Sequence, residues 1–154
     1  MALAELIAQN SVLPALKANS KKQLLQELSA KAAEVTGLPE REIFDVILQR
    51  ERLGSTGVGN GIAIPHGKLP SLDRIVGVFA RLDHPVDFEA LDDQPVDLVF
   101  LLLAPEGAGA DHLKALSKVA RVMRDGELVQ KLRATDNAAS LYAFLAESPA
   151  SNAA

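Results

Sequence analysis

Between Val96 and Leu103 every residue except Asp97 is apolar. A run of this kind, rich in Val, Leu and Phe, reads as a central strand buried on both faces. The segment from Arg74 to Leu82 reads as a second strand, with Ile75, Gly77, Phe79 and Arg81 on one side and Val76, Val78, Ala80 and Leu82 on the other. Ile62-Ala63-Ile64 reads as a short strand, and Pro85 to Glu89 as a small edge segment. The covering layers come from segments with the 3.6-residue period. Ser20 is placed to cap a helix running to about Thr36, with Leu24, Leu25, Leu28, Ala32 and Val35 on one face and Gly37 as its stop. Pro39 opens a second helix whose stripe is Ile43, Val46 and Ile47; Arg50 shares that inward face, and Gly54 ends it. A third helix starts near Asp111, with Leu113, Leu116, Ala120 and Met123 turned inward. A short helical piece at Leu128 to Arg133 and a last helix from about Asn137 to Ala146 follow. The first dozen residues, through Val12-Leu13-Pro14, read as irregular or weakly helical, and residues 148–154 as a disordered tail. The expected fold is α/β: a single layered domain over residues 1–147, with a mixed β-sheet of about five strands flanked by helices.

One stretch breaks this regular pattern: Gly54-Ser55-Thr56-Gly57-Val58-Gly59-Asn60-Gly61, then Ile62-Ala63-Ile64, then Pro65-His66-Gly67-Lys68. Glycines at this density let the backbone approach a ligand closely, so that several N–H groups can converge on one anion. Gly57, Gly59 and Gly61, with the hydroxyls of Ser55 and Thr56, are the candidate phosphate-binding groups, although Ser55 and Thr56 serve equally well as plain turn residues. His66, held at the end of a short strand by Pro65 and Gly67, is poorly placed for core packing and well placed for chemistry. A neutral imidazole is a competent nucleophile near pH 7, and a phosphohistidine keeps the transfer potential that suits a relay. His66 is therefore the expected nucleophile of a phosphoryl site. Two nucleotide-loop readings fail. Gly61 to Gly67-Lys68 is one residue too long for a Walker A loop, and Leu69 stands where a magnesium-binding hydroxyl should be. Gly57-Val58-Gly59-Asn60-Gly61 precedes a strand, whereas a dinucleotide fingerprint follows one.

Composition removes other classes. A chain of 154 residues with 48% hydrophobic and 23% charged residues is an ordinary globule long enough to bury most of a core. A net charge of −4 argues against nucleic acid as partner, which needs a basic face. With no cysteine there is neither a disulfide framework nor a thiolate metal site. No apolar run approaches the length of a membrane span, and the start lacks a signal-peptide pattern, so no membrane insertion is expected and the cytoplasm is the expected compartment. Aromatic residues at 4%, with no tryptophan, leave few stacking surfaces for sugars or bases. A zinc site from His66, His84 and His112 lacks helical ligand spacing, and transfer between histidines requires no metal ion or cofactor. His84, in Asp83-His84-Pro85, reads as an exposed turn residue.

The residues from Gly54 to Gly57 and from Ala63 to Lys68 resemble the active-site segment of the IIA proteins of the bacterial phosphotransferase system, in the fructose/mannitol/nitrogen group. The resemblance runs from about Leu13 to Leu145 and includes Ser20-Lys21-Lys22-Gln23, Gln94-Pro95-Val96-Asp97-Leu98 and Asp111-His112-Leu113. It is greatest to the nitrogen-regulatory branch. It implies a type-2 IIA fold, in-line transfer at the Nε2 atom of His66, and a phosphocarrier of the HPr or NPr type as donor. It also implies that Arg50 is an active-site arginine and that His112 is a second histidine facing the phosphorylated one. On the residues alone, Arg50 could equally be a helix cation snorkelling from the core, and His112 an N-terminal helix residue with no task. With no fused IIB or IIC segment, the resemblance favours a regulatory carrier whose protein targets lie in potassium transport or sensor-kinase systems. The alternatives are a sugar-specific IIA subunit and a module that holds phosphate without covalent chemistry.

Overall fold

The computed structural model describes residues 2–149, so the expected tail lies outside the described residues from 150 onward. Short 3-10 turns at Leu3–Glu5 and Gln9–Ser11 lead into β1 (Val12–Leu16), α1 (Lys21–Thr36) and α2 (Glu40–Leu53). Then come β2 (Gly57–Gly59), β3 (Ile62–Ala63), β4 (His66–Leu69), β5 (Val76–Val86) and β6 (Val96–Pro105). After a 3-10 turn the chain closes with α3 (Ala110–Val122), α4 (Gly126–Arg133) and α5 (Ala138–Glu147).

The six strands form one mixed sheet in the order β1-β5-β6-β3-β2, with β4 also paired to β6. Strand β6 is the centre, antiparallel to β5 and parallel to both β3 and β4. Pairing of Ile62 with Leu98 and of His66 with Leu102 keeps one register, so β3 and β4 are two pieces of a single interrupted strand. The interruption is Ile64-Pro65, where Pro65 has no N–H to give but its carbonyl still accepts from Leu102 N at 2.9 Å. His66 stands immediately after this break.

Side-chain alternation along β5 and β6 divides two cores, as the period of two requires. Val78, Ala80, Val99, Leu101 and Leu103 face α1 and α2, packing with Leu24, Leu25, Leu28, Ile43 and Ile47. Phe79, Leu98, Phe100 and Leu102 face the other way, onto Ala115, Val119, Val122, Leu132, Leu141 and Leu145. Each layer is thus the amphipathic face of a helix laid on one side of the same two strands. The helix caps at Ser20, Asp125 and Asn137 each accept a backbone N–H from the first turn.

Four local expectations change. Val12-Leu13-Pro14 is not irregular but opens β1, an edge strand parallel to β5, and an edge is where proline is tolerated. His66 begins a strand instead of ending one, because pairing resumes beyond Pro65. Strand β5 runs on through Asp83-His84-Pro85 to Val86, past a register shift, so that segment is no turn and Pro85–Glu89 no separate strand; His84 is nonetheless exposed. Helix α3 turns His112, Ala115, Val119 and Val122 inward and leaves Leu113 67% exposed. The sequence reading gave the inward face to the bulkier Leu113, whereas the helix packs with its histidine against the sheet.

Candidate active site

Helix α2 lies against β4 because Gly67 has no side chain. A Cβ there would come 2.5 Å from Val46 Cγ1 and 3.7 Å from Ile47 Cγ2. Arg50 follows Val46 by one helical turn and therefore projects over the start of β4. Its Nε donates to His66 Nε2 at 3.3 Å, and its Nη1 donates to the Gly54 carbonyl at 2.9 Å. On the other side of the ring, His66 Nδ1 is 3.0 Å from the Ile64 carbonyl oxygen. A carbonyl can only accept, and Arg50 can only donate. Both contacts thus assign the same neutral tautomer: the proton on Nδ1, the lone pair on Nε2.

His112, in the first turn of α3, is 5% exposed and meets His66 edge to face, with ring centroids 5.8 Å apart and planes at 68°. Burial holds its pKa below the ordinary 6.5, and the neighbouring His66 and Lys68 push in the same direction. Its Nε2 is buried with no hydrogen-bond partner among the described residues. An unpaired buried polar atom is costly and asks for an explanation; here it sits beside a cleft that collects cations. No side chain caps the start of α3 either.

The cleft has a volume of about 660 Å³ and is lined by Val46, Gln49, Arg50, Arg52, Leu53, His66, Gly67, Lys68 and His112. Arg50, Arg52 and Lys68 carry positive charge and no acid lines it. Chemically this is a site for an oxyanion set against a nucleophilic nitrogen. Arg52 and Lys68 were not singled out as site groups from the sequence. The signal was present for Lys68, two residues beyond His66 on one strand and hence on the same side.

The structure gathers His66, Arg50 and His112, and it places Ser55, Thr56, Gly57, Gly59 and Gly61 away from the cleft lining. Ser55 Oγ donates to the Phe88 carbonyl at 2.9 Å and accepts from Gly57 N at 3.0 Å. Thr56 gives both its N–H and its hydroxyl to the carboxylate of Glu51. Asn60 and Gly61, with φ of 56° and 79°, form the two-residue turn of a hairpin between β2 and β3. A Cβ at Gly61 would lie 2.8 Å from Asp97 Oδ1 and 2.5 Å from Arg133 Nη2, inside the Asp97–Arg133 ion pair. The glycines thus serve a compact hairpin in which the N–H groups of Thr56, Gly57 and Asn60 are engaged within the fold. Asp92 accepts from Asn60 N and Gln94 N, bonds that hold its carboxyl below the usual range. Among the described residues no group of three or more His, Asp or Glu side chains could hold a metal ion. No helix among them is long and apolar enough to cross a membrane.

Residues 5–148 match the protein family described as phosphoenolpyruvate-dependent sugar phosphotransferase system, EIIA 2. The chain is 63% identical over 153 residues to a nitrogen regulatory protein of Bradyrhizobium diazoefficiens, covering 99% of this chain and 100% of that one. It is 46% identical over 129 residues to the nitrogen regulatory protein of Escherichia coli, covering 83% and 79%. Its fold matches the crystal structure of the nitrogen regulatory protein IIA-Ntr of Neisseria meningitidis with a TM-score of 0.88 at 34% identity, over 93% of this chain and 98% of that one.

Proposed function

The chain belongs to the EIIA 2 family of the phosphoenolpyruvate-dependent sugar phosphotransferase system, and we propose that it acts there as a phosphohistidine carrier with His66 as the phosphorylated residue. The observation that carries this reading is the pair of contacts on the His66 ring, Nδ1 to the Ile64 carbonyl and Nε2 to Arg50, which aim one lone pair into a cationic cleft. An HPr- or NPr-type phosphocarrier brings the phosphoryl group. As Nε2 bonds to phosphorus, the bond from phosphorus to the carrier's nitrogen breaks and that nitrogen keeps the electron pair. The His66 ring gains positive charge in the transfer, and the Ile64 carbonyl facing Nδ1–H stabilises it. Arg50 Nε–H, released from Nε2, turns to the phosphoryl oxygens. His112 contributes its Nε2, which has no other partner among the described residues. Leu53 in the cleft wall, exposed to 85%, gives a docking protein apolar contact at the mouth.

The nitrogen-regulatory relatives support a regulatory IIA role. In this reading, phosphorylation of His66 adds about −1.5 to −2 charge at the cleft and so decides which regulatory target, in potassium transport or a sensor kinase, the same face accepts. The test is incubation with labelled phosphoenolpyruvate, an enzyme I-type kinase and the phosphocarrier. One phosphoryl group per chain is expected, acid-labile and base-stable, and absent from His66→Ala. Undiminished labelling of that variant would move the site elsewhere; reversible phosphate binding without a covalent product would make the protein a binding module.

A further inference from the structure

A buried acid sits one residue beyond Arg50. Glu51 continues the inward stripe of Ile43 and Ile47 and is 7% exposed, a rare place for a carboxylate unless it is paired. Its Oε1 accepts from Thr56 N at 3.0 Å and from Lys21 Nζ at 3.0 Å, and its Oε2 accepts the Thr56 hydroxyl. Lys21 is itself held over the Phe88 ring, 4.5 Å from its centroid. The carboxylate therefore anchors the chain at Thr56, two residues past Gly54. The Gly54 carbonyl is the rest for Arg50 Nη1, and a guanidinium is planar and rigid, so fixing Nη1 sets the direction of Nε. That Nε points at the nucleophilic nitrogen of His66.

We infer that Glu51 is a positioning residue: by anchoring Thr56 it fixes the Gly54 carbonyl and so holds Arg50 Nε–H beside His66 Nε2, where it meets the phosphoryl oxygens as they arrive. The inference rests on the phosphohistidine reading for its consequence, but the contacts exist without it. Position and charge make opposite demands here. A carboxylate near a site that takes on phosphoryl charge opposes anion binding on Coulombic grounds, so its neutralisation alone would leave transfer unchanged or faster. A positioning role requires it to become slower.

The experiment compares wild type, Glu51→Gln, Thr56→Val, Thr56→Ser, Arg50→Ala and the Arg50→Ala/Glu51→Gln double variant in the full chain. Phosphoryl transfer is measured at saturating phosphocarrier and, separately, from phosphoramidate. Glu51→Gln and Thr56→Val are expected to lower kcat about 10-fold, the effect of losing one hydrogen bond's worth of transition-state stabilisation. Thr56→Ser, which restores the hydroxyl, should stay within about twofold of wild type. The double variant should be no slower than Arg50→Ala, because residues acting through one another are not additive. Without any phosphoryl donor, the Arg50 Nε–H signal in NMR should exchange with water on the order of 10-fold faster in Glu51→Gln and Thr56→Val. Unchanged exchange in both variants, or an additive double variant, overturns the inference; should Glu51→Gln not fold, the Thr56 pair decides. Failure of wild type to take label from either donor would count against the relay itself, and the exchange measurement would still judge Glu51.

Discussion

Replacing Gly67 by Ala tests whether the approach of α2 to β4 builds the site. Gly67 is not in the left-handed region, so its replacement strains no backbone angle, and the whole cost is steric. The new Cβ would lie 2.5 Å from Val46 Cγ1, whereas carbon atoms in contact prefer about 3.5 to 4.0 Å. The cheap escape, rotation of Val46, is closed because a β-branched residue in a helix holds one χ1 rotamer. The helix must therefore withdraw by about 1 Å or more to restore contact distance. Overpacking of this kind costs about 1 to 3 kcal/mol, or about 2 to 12 °C in Tm for a domain of this size. The same withdrawal takes Arg50 Nε from 3.3 Å to beyond hydrogen-bond reach of His66 Nε2. The withdrawn guanidinium then also falls short of the phosphoryl oxygens it turns to during transfer, which should slow by about 10-fold, as one lost charge-assisted bond implies. Denaturant unfolding and the labelled-phosphoryl assay read the two effects. Val46→Ala in the Gly67→Ala background removes the clashing methyls and should recover much of both. Wild-type stability and rate in Gly67→Ala would refute the packing argument, and loss of stability without loss of rate would detach helix placement from catalysis.

Arg50→Ala should slow transfer by about 10-fold or more with the fold intact; an equal rate would return Arg50 to a helix cation with no catalytic part. His112→Leu should raise stability at neutral pH by about 1 kcal/mol, since it removes a buried unpartnered nitrogen, while slowing transfer. Its advantage should grow as pH falls through the ordinary histidine value of 6.5, because the folded pKa of His112 is depressed and the unfolded chain takes up the proton first; urea midpoints against pH that run parallel in the two proteins would contradict this. Phosphorylation of His66 should raise the pKa of His112, since a nearby negative charge favours the protonated ring. NMR titration in both states tests it, and a His112 signal indifferent to phosphorylation would place it outside the site.

What a local window of sequence can express was legible. The faces of β5, the doubly buried run of β6, the stripes of α1 and α2, and the helix ends at Ser20 and Gly37 follow from side-chain period and from groups within a turn of one another. His66 stood out for the same reason, by Pro65 and Gly67 beside it. The tertiary structure decided everything that depends on the distance between elements. Strand β1 carries Pro14 and β4 carries His66, Gly67 and Lys68, so neither reads as a strand locally, and both exist because β5 and β6 offer them ladders. The glycine segment reads as an anion cradle in sequence, whereas the fold pairs it into a hairpin and engages the N–H groups of Thr56, Gly57 and Asn60. Glu51, on the stripe of Ile43 and Ile47, becomes meaningful only when Lys21 and Thr56 reach it. The meeting of Arg50, His66 and His112 depends on the register of β4 against β6, the seat of α2 on Gly67 and the rotation of α3. Period reports which way a side chain faces along its own element; how near two elements come is set by the volumes packed between them, and those volumes belong to residues far apart in the chain.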